Sequence, residues 1–336
     1  VSIDFPNSLG MLYSTMTAYL GFAPNEGEYK VMGLAAFGKP SKYKSKLKKI
    51  FNHKNNKFYI DQKYFTWEYS DKIMFNSKFV ELLGVHPRLK GEPITDEHKH
   101  LAAALQSIYE DEFLKVVKHA KKITKSDNLC LGGGCAYNGV ANSKAYKYFK
   151  SIHIPFAPSD AGSAIGACLY NYDGKLKDNT SPFLGPKFSN KEIKVILDRY
   201  DDIKFQYLSE SKLLKKVAKI INDGNVIGWV QGQMEFGARA LGNRSILASP
   251  IKDDIKDRIN AVIKKREMFR PFAPSCIQEK ANKYFKMNES IPYMNQVVSV
   301  KKPYNFPSIT HVDNTARVQT VNKKQNRRYY LLLKEI

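Results

Sequence analysis

Cysteine is sparse: Cys130, Cys135, Cys168 and Cys276 are the four in 336 residues, and no two stand as a CxxC pair. That excludes a disulfide or zinc framework and predicts buried, reduced thiols in a cytoplasmic protein. Also missing are a signal peptide and an apolar run of about 18 residues, so no membrane partner is expected. Acids are scarce, 32 against 54 basic residues, for a net charge of +22. The imbalance suits an anionic partner and says nothing about fold. Part of it is local: eight lysines and no acid lie between Lys39 and Lys57. A solvated lysine face accounts for that run, and so does a nucleic-acid contact; the first is the plainer.

What is present describes a folded chain. Hydrophobic residues make up 43% and aromatics 12%, and the length suits about two domains. "EYKVMGLAAFGKP" reads as a loop leading into a packed helix. Residues 40–95 are polar, aromatic and Lys-rich, and read as an irregular insertion. Leu101, Leu105, Ile108, Phe113, Val117 and Ala120 recur at helical spacing and predict an amphipathic helix. "NLCLGGGCAYNGVANSKAYKYF" reads as strand, glycine turn and helix, and "SIHIPFAPSDAGSAIGACLYNY" repeats the plan. This alternation predicts an α/β fold. Residues 171–192 are rich in Pro, Gly, Asn and Ser and read as a linker. Beyond them "SKLLKKVAKIIND" and "DDIKDRINAVIKKRE" predict helices, and "GNVIGWVQG" and "RSILASP" strands. Val1 is not an initiator methionine and "RRYYLLLKEI" ends uncapped, so a chain trimmed at both ends is expected.

Three segments carry candidate chemistry. Gly132, Gly133 and Gly134 follow a strand and precede a helix, where missing Cβ atoms let backbone N–H groups approach a phosphate. Asn138 and Asn142 begin that helix and could bond a ligand. The pattern is neither a P-loop nor GxGxxG, and a turn for close packing explains it equally well. Asp160 can cap the helix it precedes or stand among metal ligands; one Asp does not make a metal site. Arg239 and Arg244 in "EFGARALGNRS", with Lys264, Arg266 and Arg270 in "KKREMFRPFAPS", could converge on phosphate, since arginine offers a planar fork to oxyanions. The prolines and phenylalanines of the second segment predict a rigid turn. His98 and His100 are read as a solvated helix start, and no other histidine is given a role.

Taken together and in order, "EYKVMGLAAFG", "LAAALQSIYE", "LCLGGGCAYNGVAN", "PFAPSDAGSAIGA", "GARALGNRSILASP", "IKKREMFRPFAPS" and "DNTARVQTV" resemble the NodU/CmcH-type O-carbamoyltransferases over nearly the whole chain, least in 40–90. The resemblance implies part of an actin/sugar-kinase-like (ASKHA) carbamoyl-transfer domain at 1–180, a linker at 181–192 and part of a YrdC-like α/β domain at 193–336. The YrdC-like part is expected to turn carbamoyl phosphate and ATP into carbamoyl-adenylate. The first domain would then pass the carbamoyl group to a hydroxyl of a sugar, glycan or natural product. It further implies that Gly133, Gly134 and Asn138 form a nucleotide-binding turn and that Asp160 is a metal ligand. Lys264 and Arg266 match a K-x-R element of YrdC-like domains, and Arg239, Arg244 and Arg317 its other basic positions. Glu28 and Lys30 are expected near the acceptor or adenylate. The implied metal is divalent, typically iron, with most ligands outside this chain, because the family's HxxxH pair does not occur in these residues. A homodimer is compatible with this reading. A tRNA-modifying relative and a non-catalytic nucleotide-binding fragment are the alternatives.

Overall fold

The chain is described by a computed structural model over residues 2–70, 73–174 and 181–336. They sort into two units. One comprises Val1–His153, Glu267–Pro271 and His311–Asp313; the other comprises Ile154–Arg266, Phe272–Thr310 and Asn314–Ile336. The main segment of the first unit ends at His153. Residues 175–180, within the stretch read as a linker, lie outside the described residues.

The first unit runs α1 (Leu9–Tyr19), α2 (Glu28–Ala35), α3 (Lys44–Lys48), β1 (Phe51–Lys54), β2 (Lys57–Ile60), α4 (Ser77–Leu83), α5 (Asp96–Thr124), β3 (Asn128–Cys130), α6 (Gly139–Lys144) and β4 (Ser151–His153). Helix α5 is its axis, and α1, α2 and α3 pack on it. Its Ala- and Leu-rich middle favours helix. Asp96 and Glu97 sit in its first turn and Lys121 and Lys122 in its last, each sign matched to the helix dipole. Lys125 ends it in the left-handed conformation. Leu101, Leu105 and Ile108 on its inner face join Leu12, Met16 and Leu34 in the core. Each such side chain contributes about 1.5–3 kcal/mol by leaving water.

Two readings of this unit are corrected. Residues 40–95 are not an irregular polar insertion. Tyr43, Leu47 and Ile50 at helical spacing, Phe58 and Ile60 at strand alternation, and Phe65, Trp67, Phe79 and Leu83 are all buried in the main core. The lysines between them face outward and disguise the pattern. Asn55 and Asn56, both at positive φ, close the β1–β2 hairpin as a two-residue loop. Nor are His98 and His100 a solvated helix start. His98 is buried, and its Nδ1 accepts from the Thr95 backbone N–H at 3.0 Å, completing a capping box. His100 Nδ1 accepts from Lys39 N–H at 3.1 Å.

The second unit runs α7 (Asp160–Tyr170), α8 (Asn190–Leu197), α9 (Glu210–Asn222), β5 (Ile227–Val230), β6 (Arg244–Leu247), α10 (Ile255–Arg258), β7 (Ser275–Ile277), α11 (Gln278–Tyr284), β8 (Val298–Ser299), β9 (Thr315–Ala316), β10 (Gln319–Val321) and α12 (Arg327–Glu335). Leu214, Val217 and Ile221 of α9 bury against Trp229, Tyr329 and Leu332. Glu210 takes Arg327 at 2.8 Å and Arg328 at 2.9 Å across the α9–α12 pair. The expected long helix in "DDIKDRINAVIKKRE" stops early. It passes from α10 into a single wide turn, Ile259–Ile263, and Lys265 then takes φ +45°, which no helix continues through.

The fold is mixed α/β with small sheets. Among the described residues β1–β2, β5–β6 and β8–β9 pair antiparallel, and β3–β4 and β7–β10 parallel. No described helix is long and apolar enough to cross a membrane. The four cysteines are free, as expected, but Cys130, Cys135 and Cys168 are exposed, against the burial their residue type predicts.

Candidate functional site

In the first unit the glycine turn joins β3 to α6. Gly133 has φ +85°, which an L side chain adopts only with strain. A Cβ built on Gly132, Gly133 or Gly134 would meet nothing within 4 Å. Close packing therefore does not explain these glycines, and the turn presents bare backbone on the surface. Beneath it the base is fixed. Asn138 Nδ2 donates to Gln106 Oε1 at 3.0 Å, and Gln106 Nε2 donates back to Asn138 Oδ1 at 3.1 Å. Asn138 Oδ1 also accepts from Ala141 N–H and caps α6. Tyr13 Oη donates to Gln106 at 2.8 Å; burial, then the charge of Glu110, holds that phenol well above its usual range. Asn138 thus positions the turn, and its amide is engaged by protein on both sides. Asn142 Nδ2 likewise donates to Ala136 O at 2.7 Å. Gln106 was not singled out from sequence, because a buried polar residue in an apolar helical stripe carries no local signature.

Arg270 belongs to this unit as well. Glu267 receives Lys30 Nζ at 2.7 Å and Arg270 Nη1 at 3.5 Å. The Arg270 guanidinium lies over Tyr29, 4.8 Å from the ring centre, and Phe269 meets Phe37 edge-on at 6.3 Å. The segment 267–271 is therefore tied to α2 by the Glu267 carboxylate and the Tyr29 ring, and to Phe37 just beyond that helix. Glu28, in the first turn of α2, accepts from Ser14 Oγ at 2.7 Å and from Asn25 N–H at 2.8 Å. For Glu267, burial pushes the carboxyl up, but the Lys30 hydrogen bond and the charges of Lys30 and Arg270 outweigh it and leave it lowered. A lowered carboxyl contributes stability above its unfolded pKa of about 4.3 and loses it as pH falls through the folded value. Glu267→Gln is expected to flatten the acid side of the melting-temperature profile below about pH 4, as differential scanning fluorimetry would show; an unchanged acid slope would refute this pairing.

In the second unit the loop between β5 and β6 is built around Glu235. Its buried Oε1 accepts from the backbone N–H groups of Leu241 at 2.6 Å, Asn243 at 2.8 Å and Arg244 at 3.2 Å. Gln231 Nε2 donates to Asn243 Oδ1 at 2.8 Å and to Asn326 Oδ1 at 2.7 Å, and Gln319 Nε2 donates to Leu241 O at 2.9 Å. Gly242, at φ +102°, faces the Tyr329 ring, 2.2 Å from where a Cβ would stand. Arg239 is held half-buried on this rigid loop. The Arg244 guanidinium donates to the carbonyls of Gln231, Asn243, Pro186 and Gly232, so its fork braces the loop. Glu235, two residues before "GARALGNRS", was legible only as one more acid.

Arg266 follows the wide turn and is oriented by it. Its Nε donates to Asn260 Oδ1 at 2.7 Å, and its guanidinium stacks 4.6 Å from the Phe272 ring centre. Asn260 and the Phe272 ring thus orient the arginine. Lys264 is exposed at the end of the same turn, and Arg317 is half-buried between β9 and β10, flanked by the fully buried Ala316 and Val318. Asp160 is the exposed first residue of α7, placed where a carboxylate favours the helix N-terminus. Among the described residues no group of three His, Cys, Asp or Glu side chains could hold a metal ion. Asp160 can supply one ligand; the described residues do not complete a centre.

Two family descriptions match the chain: "Carbamoyltransferase N-terminus" over residues 1–169 and "Carbamoyltransferase C-terminus" over residues 218–336. The chain belongs to the NodU-type carbamoyltransferase family. It is 38% identical to an uncharacterized protein of Synechocystis over 99% of this chain and 60% of that one. It is 38% identical to nodulation protein NolNO of Sinorhizobium fredii over 96% of this chain and 48% of the relative. It is 30% identical to the 3'-hydroxymethylcephem-O-carbamoyltransferase of Amycolatopsis lactamdurans over 90% of this chain and 54% of that enzyme. The chain therefore spans roughly half of the length of these carbamoyltransferase-family relatives.

Proposed function

We propose that the protein carrying this chain is an O-carbamoyltransferase. It forms carbamoyl-adenylate from carbamoyl phosphate and ATP and transfers the carbamoyl group to a hydroxyl of a sugar, glycan or natural product. Family membership supports the reaction class, and the similarity to a cephem O-carbamoyltransferase supports a hydroxyl acceptor. The observation that carries the nucleotide reading is the turn at 132–134: three bare glycines over a fixed Asn138–Gln106 base, with free space where side chains would stand.

The chemistry must balance. Carbamoyl phosphate first gives carbamate and inorganic phosphate with one water. The carbamate oxygen then attacks the α-phosphorus of ATP, and pyrophosphate leaves. The acceptor oxygen attacks the carbamoyl carbon, AMP leaves, and the hydroxyl proton passes to a base. In this reading Arg239, Lys264, Arg266 and Arg317 neutralise the phosphates, Arg266 doing so from an orientation set in advance by Asn260 and Phe272. Arg244 holds the loop that carries Arg239. Gly133 and Gly134 receive the adenylate, and Lys30 with Arg270 lies near the transfer site. A divalent metal would polarise the carbonyl or lower the acceptor pKa when bound; Asp160 is its proposed ligand from this chain.

Exchange of labelled pyrophosphate into ATP by the intact protein tests the first half-reaction. It is expected only when carbamoyl phosphate is present. Arg266→Ala should cut it by about 10²–10³-fold, the cost of one preorganised donor. Undiminished exchange in this variant would remove Arg266 from the site.

A further inference from the structure

A second concave site lies wholly within the first unit, away from the residues given roles above. It is a cavity of about 580 Å³ between β1 and α5, with Phe51, Leu114 and Tyr148 as its apolar lining. This volume is in the range of small-molecule sites. Its acids are already satisfied. Asp111 pairs with Lys44 at 2.8 Å. Glu112, with a side chain only 6% exposed, takes His53 Nε2 and Lys115 Nζ, each at 2.8 Å. Two further lysines line the cavity: Lys48 at the end of α3 and Lys118 one turn beyond Leu114 on α5. Both are exposed, and neither takes an ion pair among the described residues. The balance at the opening is thus two uncommitted cations beside a neutralised acid pair and a partly aromatic wall.

We propose that this cavity binds a small phosphate-bearing sugar, with its phosphate between Lys48 and Lys118 and its ring against Phe51 and Tyr148. Lysine ammonium groups on two different elements give the phosphate two charge-assisted contacts. An aromatic wall suits the apolar face of a sugar ring. The buried Glu112, held by His53 and Lys115, keeps the β1 strand seated on α5 and the cavity open. The site explains part of the lysine run between Lys39 and Lys57 without a polynucleotide: of those lysines it uses Lys48, while Lys44 serves Asp111.

Lysine-reactive labelling of the intact protein, read residue by residue by mass spectrometry, tests this. Inorganic phosphate and glucose 6-phosphate should each protect Lys48 and Lys118 while leaving Lys54 and Lys125 unchanged. The sugar phosphate should protect at lower concentration. Lys118→Glu should raise the concentration needed to protect Lys48 by about tenfold, the equivalent of one lost contact, without altering pyrophosphate exchange. Protection spread evenly over all lysines, protection by an RNA oligonucleotide but not by glucose 6-phosphate, or unchanged protection of Lys48 in the variant would each overturn the proposal. Because the readout is local to these lysines, its failure leaves the carbamoyltransferase reading untouched, and the reverse holds.

Discussion

Gly134→Val is expected to leave the protein folded and to weaken binding of the adenylate at this turn by about 100-fold, or about 2.7 kcal/mol. The two effects separate because of local geometry. Gly134 does not sit at positive φ, and a Cβ there meets nothing within 4 Å. Valine therefore brings neither backbone strain nor a clash, and the melting temperature should stay within a few degrees of wild type. Yet two added methyl groups would occupy the space the bare turn leaves for an adenylate. Binding of a fluorescent AMP analogue, measured beside thermal melting, checks both halves. A folded variant that binds AMP as wild type does would take the adenylate away from this turn. Gly133→Val is a poorer probe, since φ +85° would add strain to any loss.

The second large effect is expected at Glu235. Glu235→Ala would strand three backbone N–H donors, two of them on the buried residues Leu241 and Asn243. At about 1–3 kcal/mol for each buried orphan, the second unit should lose about 3 kcal/mol or more. The loop carrying Arg239 should loosen as well. Urea unfolding would register the stability loss, and hydrogen exchange at Leu241 and Asn243 would localise it. Glu235→Gln keeps an amide oxygen in place and should recover much of both. Equal behaviour of the Ala and Gln variants, or wild-type protection in the Ala variant, would contradict the role given to this carboxylate.

These two positions show where the sequence was readable. The glycine run after a strand marked the turn directly, because backbone freedom is written in residue type. The long helix at 96–124 was equally plain, since its apolar period and end charges agree. Glu235 was not legible: its three partners are backbone groups six to nine residues later, and no residue type announces an acceptor for N–H groups. Glu267 was hidden for a related reason. It sits among cations that draw the eye, and its partner Lys30 lies 237 positions away. The stretch 40–95 was misread because frequent lysines mask the aromatic residues that fill the core. Asn138 was correctly placed at the turn, but sequence could not say that Gln106 already engages its amide. The family resemblance named the chemistry; the structure supplied the supports for its residues.

The most direct test of the central claim uses the intact protein, ATP and radiolabelled carbamoyl phosphate, with no acceptor. Label should appear in an adenylate, with pyrophosphate released in step. Addition of a hydroxyl acceptor should move the label to it and release AMP. ATP left intact, or label passed to an acceptor with no nucleotide required, would contradict the account.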